Sequence, residues 1–342
     1  MKFLISFSET TKAYDQYRQQ KINKGQTSGS STVFTGDGGG KIALFEQKGP
    51  FEPITELDSI VVDRPYGLKY VTGEGLYYTA GAPCTKDGVF SDQRIERIGL
   101  TGEKDLVIRK ELFSLPRTVN RTENGLLVCS CGLDSIIEIG LDGDIFWNWN
   151  AVENGFPIAK NGKPRRIRQD IDHRAMKYPT NDQTTHPNSA IEHPHIEDTI
   201  LATFYVQDGI YEINKITGKA TPVKENLQKP HHIRYNNGEF TVANTKNGSM
   251  MILDPTYRVL AEHQIHYEHS TQPPGFKFVK DAIKTPNNTY FLGDVANFHL
   301  VEIDGLGMSK RYDLHRPNRL FQIEFVPDSF CLTQKSHYKG VS

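Results

Sequence analysis

The chain has 342 residues, which suits either two domains of average size or one large all-β domain. Its 40 Lys and Arg residues nearly balance its 41 Asp and Glu residues, so the formal net charge of −1 provides no field that would attract nucleic acid or an anionic membrane. Aromatic residues make up 10% of the chain, too many for a disordered protein, and no apolar run approaches the roughly 20 residues of a membrane-spanning helix.

The first predicted element is an apolar β-strand at residues 3–8. This segment is too short for the apolar region of a signal peptide, and no small-residue cleavage site follows it. We therefore expect a cytoplasmic protein, and the low number of cysteines, four, agrees with a reducing compartment. A second strand-forming segment covers residues 41–57.

From residue 64 onward the chain repeats a unit of four short strands joined by tight polar turns. The clearest copy opens at Pro230, turns at Asn236-Asn237-Gly238 and ends near Ile265. The five copies open at Arg64-Pro65-Tyr66, Leu115-Pro116-Arg117, His186-Pro187-Asn188, Pro230-His231-His232 and Val279-Lys280-Asp281. Four strands in about 40 residues is typical of a β-propeller blade. The near absence of a 3.6-residue period argues against an α/β fold.

Two strand-forming segments remain outside the five copies, at residues 41–57 and 320–333. Two strands from each would complete a sixth blade and remove the unpaired edges of the ring. The sequence therefore predicts an all-β protein: one six-bladed β-propeller over residues 1–342, made of four-stranded antiparallel blades and closed by the N- and C-terminal strands. A seven-bladed ring stays an alternative, because this assignment does not use the strand at residues 3–8.

Loop lengths distinguish the two faces of the predicted propeller. Turns between first and second strands are short and polar, whereas three long segments, residues 81–92, 151–184 and 264–275, all fall on the opposite face. Long loops in a compact domain usually bind ligands or cover a site. We therefore expect the face with the long segments to carry the mouth of the central channel, with residues 151–184 as an inter-blade lid.

The opening residues of the first strands are predicted to ring this mouth. A concavity lined by Arg, Lys, His and Asp is typical of a small-molecule site. Its predicted substrate-binding residues are Arg117, Asn188, Lys280, Gln322, Asp294 and His299.

Three histidines are the main catalytic candidates, because imidazole titrates near neutral pH. His231 and His232 are successive residues of an inner strand, so one should face the channel while the other packs against a neighbouring blade. His186 opens the preceding copy. Each histidine has a purely structural role as an alternative.

Asp281 is a further candidate base if it is desolvated, and Tyr66 is a candidate donor to an oxyanion. His186, His231 and His299 have a second interpretation, as three nitrogen ligands of a divalent metal such as zinc. The sequence does not identify a cofactor beyond this.

Two blade openings, Arg64-Pro65-Tyr66-Gly67-Leu68 and Lys229-Pro230-His231-His232-Ile233, resemble those of NHL-repeat and SMP-30-like six-bladed propellers. That superfamily includes lactonases, strictosidine-synthase-like proteins and a metal-dependent amidating lyase. The resemblance implies a divalent ion such as calcium, held by Glu, Asn and Asp in the channel. The equivalent positions here offer Asn188 and Asp281 but no Glu.

A second, shorter resemblance involves the Trp-rich strand at residues 142–151 and the segment Thr185-His186-Pro187-Asn188-Ser189. Together they are similar to the arylsulfotransferase family, in which a Trp-rich strand precedes a His-x-Asn-Ser strand on a similar propeller. Members that transfer sulfate carry a reactive histidine, and His186 is the corresponding candidate.

These patterns favour an enzyme that acts on a small anionic or polar molecule in the channel by His-assisted acid–base or covalent chemistry. Lyase, cyclase, hydrolase and group-transfer reactions all suit these residues. The alternative is a non-catalytic propeller that binds a peptide or protein partner on its rim. Binding platforms favour exposed Trp, Tyr and Leu, whereas titratable groups predominate here. Neither a nucleic-acid nor a membrane partner is expected, and the oligomeric state is not indicated.

Overall fold

The computed structural model describes residues 1–23, 39–81, 92–168, 170–176, 178–265, 277–315 and 317–333. Two of the three predicted long loops, residues 81–92 and 264–275, lie wholly or largely outside these ranges. The described residues form six four-stranded antiparallel sheets, which confirms the predicted six-bladed β-propeller. All 24 strands of this part of the chain belong to the six sheets, so the seven-bladed alternative is wrong.

The elements follow the order of the repeat. In the first half of the chain they are β1 (Lys2–Glu9), α1 (Lys12–Asn23), β2 (Lys41–Gln47), β3 (Ile54–Val61), β4 (Leu68–Val71), β5 (Gly75–Ala80), β6 (Arg94–Ile98), β7 (Lys104–Ile108), β8 (Pro116–Arg121), β9 (Leu126–Ser130), β10 (Ser135–Ile139) and β11 (Ile145–Asn150). In the second half they are β12 (Pro187–Glu192), β13 (Thr199–Phe204), β14 (Gly209–Asn214), β15 (Ala220–Lys224), β16 (Ile233–Asn236), β17 (Glu239–Asn244), β18 (Ser249–Leu253), β19 (Val259–Gln264), β20 (Val279–Lys284), β21 (Tyr290–Asp294), β22 (His299–Ile303), β23 (Ser309–Asp313) and β24 (Arg319–Val326).

Five blades are built from consecutive strands. Blade 1 contains β4 to β7, blade 2 contains β8 to β11, blade 3 contains β12 to β15, blade 4 contains β16 to β19 and blade 5 contains β20 to β23. The first strands β4, β8, β12, β16 and β20, together with β24, contact one another in a closed circle around the central axis. We call the end of the channel where these inner strands begin the mouth, and the opposite end the base.

The sixth, closing blade has the strand order β24-β1-β2-β3. The prediction of two strands from each end of the chain was wrong, because the C-terminal part contributes one strand and the N-terminal part three. The strand predicted at residues 3–8 is the second strand of this blade, and its Phe3, Leu4 and Ile5 side chains are fully buried. Helix α1 lies in the long connection from β1 to β2. No helix of the described ranges is long and apolar enough to span a membrane.

Apolar side chains fill the interfaces between neighbouring blades. Phe3 and Ile323 of the closing blade pack in one cluster with Phe291 and Leu300 of blade 5. A second cluster joins the closing blade to Leu68 and other residues of blade 1. Because burying one such side chain stabilises a fold by about 1.5–3 kcal/mol, these interfaces hold the ring together.

Candidate active site at the channel mouth

Most inner strands carry a β-bulge close to their first residue. The register slips by one residue within Pro116–Val119 of β8 and within Val279–Ala282 of β20, and similar slips occur near the starts of β12 and β24. In blade 4 the backbone of Ala243 pairs with both His231 and His232. A bulge interrupts the strict alternation of side chains and re-aims them. Both histidines consequently contact one residue of the next blade, Lys280.

Phe321 of β24 lies across the channel just below the mouth. Its ring centroid is 4.9 Å from that of Tyr66 in the segment before β4, and 5.6 Å from that of His232 in blade 4. The cationic groups of Arg117 and Lys280 lie 5.3 Å and 4.5 Å from the same centroid. One buried aromatic ring thus touches residues of four other blades.

Arg117 and Lys280 make the mouth cationic. The Arg117 guanidinium also lies 4.6 Å from the Tyr66 ring centroid, so cation–π contacts hold it in place. In the part of the chain that the structure describes, no carboxylate pairs with Arg117, and its buried Nε has no hydrogen-bond partner. Two positive groups within about 10 Å of each other favour a negatively charged ligand.

His231 is 3% exposed and has a defined orientation at the mouth. Its Nδ1 is 2.6 Å from Thr245 Oγ1 and 3.1 Å from Lys229 O, while its Nε2 is 3.3 Å from Lys280 Nζ. The Lys229 carbonyl only accepts, which places the ring proton on Nδ1 and the lone pair on Nε2. Burial, and then the positive charge of Lys280, lower the pKa of His231 well below its ordinary value, so the imidazole is neutral.

His186 is the second buried, neutral imidazole of the mouth. Burial lowers its pKa well below the ordinary value, and Arg117, Lys280 and Lys160 lower it further. Its ring centroid is 5.1 Å from that of Tyr205, which in turn lies 5.8 Å from that of His231. The backbone of His186 has a φ of +50°, a conformation that costs free energy and persists only where neighbouring groups impose it.

Asp134 imposes that conformation, and sequence reasoning missed it. Its carboxylate accepts hydrogen bonds from the backbone N–H groups of Thr184, Thr185 and His186 at 2.8, 2.9 and 2.7 Å. Asp134 is fully buried in the turn after β9, where its own φ is +52°. It therefore positions His186 without touching the mouth. The only signal in the sequence is an acidic residue inside an otherwise apolar second-to-third turn.

Arg165 completes this anchor from the insertion, which we define as residues 151–184 between β11 and β12. Its Nε lies 3.2 Å from Asp134 Oδ2, and its terminal nitrogens donate to the carbonyls of Gly132 and Asp182. Arg165 belongs to the basic run Lys163-Pro164-Arg165-Arg166-Ile167-Arg168, whose composition is typical of a solvent-exposed segment. Arg165 is nevertheless only 8% exposed. The insertion is therefore attached to the same buried carboxylate that orients His186.

The insertion also adds positive charge near the mouth. Lys160 Nζ lies 5.6 Å from the Tyr205 ring centroid, and Lys229 Nζ lies 5.5 Å from it. Desolvation, followed by the charges of Lys229 and Lys246, lowers the pKa of Lys160 below its ordinary value. Lys229 is paired with Asp208 at 2.6 Å. Lys160 has no carboxylate partner within the described ranges.

Asp281 and His232, two predicted catalytic residues, belong to a buried ion-pair network below the mouth. Asp281 Oδ2 is 2.8 Å from Arg234 Nη2, and its Oδ1 is 3.2 Å from His232 Nδ1. Burial alone would raise the pKa of Asp281, but Arg234 and His232 outweigh burial and lower it. Asp281 therefore stays ionised and stabilises the inner strands.

Gln322 and Asn188, predicted to bind substrate, donate to the backbone. Gln322 Nε2 donates to Leu68 O at 2.8 Å, and its Oε1 accepts from Leu68 N at 3.0 Å, which joins β24 to β4. Asn188 Nδ2 donates to Pro230 O at 3.1 Å, between blades 3 and 4. Both amides thus connect neighbouring inner strands.

Asp294 and His299 are register partners on β21 and β22, the second and third strands of blade 5, and neither lies on an inner strand. Asp294 accepts from Ala296 N and Asn297 Nδ2, and burial raises its pKa. Over the residues that the structure describes, no group of three or more His, Cys, Asp or Glu side chains could hold a metal ion. His186, His231 and His299 therefore do not form the three-nitrogen metal site that their sequence positions suggested.

The chain has no match among family models, and no curated protein sequence matches it. Solved structures match its fold at low identity. The nidogen/laminin complex matches with a TM-score of 0.59 and 12% identity, covering 94% of this chain and 97% of that chain. A protein of unknown function from Bacteroides caccae gives 0.54 and 11%, covering 94% and 97%.

A putative 6-phosphogluconolactonase from Bacteroides fragilis matches with a TM-score of 0.52 and 11% identity, covering 95% of this chain and 98% of that chain. Similarity at this level shows the fold alone. The names of these structures include a protein–protein complex and an enzyme class, and one fold serves both kinds of function. By fold, this chain is a six-bladed β-propeller.

Proposed function

We propose that the protein is an enzyme that binds a small anionic molecule at the channel mouth and uses His231 to accept a proton from it or from water. The observation that supports this best is the contact between the neutral His231 Nε2 and Lys280 Nζ at 3.3 Å, beside Arg117, which pairs with no carboxylate of the described residues. A carboxylate or a phosphate group is the class of anion that Arg and Lys bind.

Anion binding would activate His231. The negative group would attract the Lys280 ammonium and neutralise part of the positive charge that keeps the pKa of His231 low. Nε2 would then be free to accept a proton, while Lys229 O and Thr245 Oγ1 hold Nδ1 in place. Arg117 and Lys280 would stabilise negative charge that develops on the substrate.

Proton abstraction assisted by cations is the common first step of elimination, cyclisation and hydrolysis. His186 is a second neutral imidazole for returning the proton. We also propose that the insertion acts as a lid, because it carries Lys160 and its anchor, Arg165, reaches the carboxylate that orients His186. A closed lid would exclude water and strengthen these electrostatic contacts.

Calorimetry with inorganic phosphate and with citrate as probes tests anion binding. Titration at pH 7.5 in two buffers of different ionisation enthalpy measures both affinity and proton uptake. We expect proton uptake on binding, because the anion raises the pKa of a histidine. Arg117→Gln and Lys280→Gln should each weaken binding at least 10-fold, since each removes a charged contact. The matched controls Arg258→Gln and Lys219→Gln change exposed cations outside the mouth and should leave affinity unchanged.

Turnover tests the role of His231. Once a screen of phosphate esters, hydroxy acids and lactones gives a substrate, His231→Gln should reduce kcat by 10²–10⁴-fold with an unchanged far-UV circular dichroism spectrum. His315→Gln, at an exposed position, should not. Full turnover by His231→Gln would refute the role of His231. Anion binding without proton uptake and without turnover of any screened compound would refute the enzyme and leave a binding platform, the alternative that the sequence allowed.

A further inference from the structure

A separate cavity of 410 Å³ occupies the channel on the base side of Phe321. Its walls include Thr118, Ser189, His232 and Arg234 of the inner strands, and it extends to Pro194 and Asn236 in first-to-second turns. The cavity therefore opens on the face opposite the mouth. Neither Arg117 nor Lys280 lines it. Its volume lies within the range of about 300–1,000 Å³ that is usual for small-molecule sites.

The charges of this base cavity are already compensated. Every cation that lines it has a carboxylate partner: Lys69 with Glu324 at 3.0 Å, Arg234 with Asp281 at 2.8 Å, Arg121 with Glu74 at 3.0 Å and Lys284 with Glu239 at 3.0 Å. At the rim, Glu192 adds a carboxyl group whose pKa burial raises, with a further contribution from Glu138. An anion therefore has no unpaired cation to bind here, in contrast to the mouth.

Three polar side-chain atoms of residues that line the cavity lack hydrogen-bond partners among the described residues: Thr118 Oγ1, Ser189 Oγ and His232 Nε2. Ser189 Oγ and His232 Nε2 are both buried, in side chains only 1% and 2% exposed, and neither forms a hydrogen bond. His232 Nδ1 lies 3.1 Å from Lys280 O and 3.2 Å from Asp281 Oδ1, which leaves Nε2 as the ring nitrogen without a partner. Buried polar atoms are usually satisfied, so unpaired polar atoms in residues that line a cavity indicate a ligand.

Hydroxyl groups suit such atoms, because a hydroxyl can both donate and accept a hydrogen bond. We propose that the base cavity is a second binding site, for an uncharged polyhydroxylated small molecule such as a monosaccharide or a cyclic polyol. This site is distinct from the anion site at the mouth, since neither Arg117 nor Lys280 lines the cavity. Its occupant would satisfy Ser189 Oγ and His232 Nε2.

Saturation-transfer NMR and calorimetry with three matched probes test the charge preference: D-glucose, its cationic analogue D-glucosamine and its anionic analogue D-gluconate. D-Xylose and myo-inositol extend the neutral set. We expect saturable binding of at least one neutral probe. Neither charged analogue should bind the base cavity more tightly than D-glucose. Preference for the cation or the anion at this site would overturn the proposed ligand class.

Variants locate the binding site. Ser189→Ala should weaken binding of the neutral probe 5-fold or more, and Ile191→Phe should abolish it by filling the cavity. The matched control is Thr203→Val, which removes another buried hydroxyl without a partner, directly opposite Ser189 on β13 but outside the cavity. It should leave affinity unchanged.

Arg117→Gln distinguishes the two sites. It should abolish anion binding at the mouth and leave binding of the neutral probe intact, whether or not the proposed enzyme function holds. If no neutral probe binds, or if binding is lost in Arg117→Gln but kept in Ile191→Phe, then the base cavity holds water only and the proposal is wrong.

Discussion

Two buried histidines at the mouth stay uncharged. A positive charge on either ring would lie in a site from which water is excluded, and it would be repelled by neighbouring cations. His186 and His231 are 4% and 3% exposed, and the pKa of each is well below its ordinary value. In the unfolded chain both would titrate near 6.5. Folding therefore releases a proton from each histidine at pH values between its lowered native pKa and about 6.5.

The stability of the protein should consequently fall as the pH falls below about 6.5. The unfolded state then binds more protons than the native state, and each histidine contributes up to about 1.4 kcal/mol per pH unit. Asp281, whose pKa is lowered, loses its contribution only below about pH 3.8, outside this window. The free energy of unfolding in urea at pH 7.5, 6.5 and 5.5 measures the slope.

His231→Gln isolates one histidine in this experiment. As the pH falls, the free energy of unfolding of this variant should decrease less steeply than that of the parent, and the difference in slope should correspond to about one bound proton. His315→Gln, at an exposed position, should keep the slope of the parent. Other buried histidines with a lowered pKa, such as His173, contribute equally to all three proteins and cancel in the comparison. Equal slopes for His231→Gln and the parent would contradict a neutral His231.

At the scale of elements, the insertion is joined to the second-to-third turn of blade 2 through one buried carboxylate. Asp134 accepts three backbone N–H groups from the end of the insertion and pairs with Arg165 from its middle. The two side chains are 0% and 8% exposed. Breaking a buried pair from one side leaves an uncompensated charge in a site from which water is excluded.

Asp134→Asn should therefore destabilise the protein by about 3 kcal/mol, because Arg165 loses its anion and an amide N–H₂ replaces one acceptor. The insertion should also open more often, which limited trypsin digestion at its basic run would detect as faster cleavage. Asp170→Asn is the control: it breaks an exposed pair with Arg168 and should leave the urea midpoint close to that of the parent. Equal urea midpoints for Asp134→Asn and the parent would show that the anchor is not required.

The repeat made much of this architecture predictable. Blade openings such as Pro116-Arg117 and Val279-Lys280 identified the inner strands, and the register brought Arg117, Lys280 and His231 to one level. Periodicity could not place β1, because α1 and a long connection separate it from β2. It also could not reveal Arg165 as an anchor, since its partner Asp134 is distant in sequence and comes near only in the folded ring.

The base cavity was missed for a related reason. Its walls come from all six inner strands, and side-chain direction at a bulge does not follow from alternation. The sequence signal was present in weaker form: Ser189 and His232 directly follow residues predicted at the mouth. The positions of Ser189 and His232 in the sequence predict how far along the channel they lie, but not that they line this cavity.

At the scale of the whole molecule, closure depends on a single strand. β24 is the innermost strand of the closing blade and pairs with β1 along most of its length. It also reaches blade 1 through the Gln322 amide, and blade 4 through Glu324, which lies 3.1 Å from Arg234. Without β24, the apolar β1 would become an open edge beside an empty position in the ring.

A chain ending at residue 318 should therefore fail to unfold cooperatively and should aggregate on heating, because Phe3, Ile5 and Phe291 lose the Ile323 side chain that packs among them. A synthetic peptide of residues 317–333 supplied in trans should restore a cooperative transition in differential scanning calorimetry, since β24 adds to β1 by strand pairing. The same peptide with Ile323→Lys should not, because a charge would enter a fully buried position. A cooperative transition of the shortened chain alone, at the temperature of the full protein, would contradict this prediction. It would show that five blades and the strands β1 to β3 form a stable ring without β24.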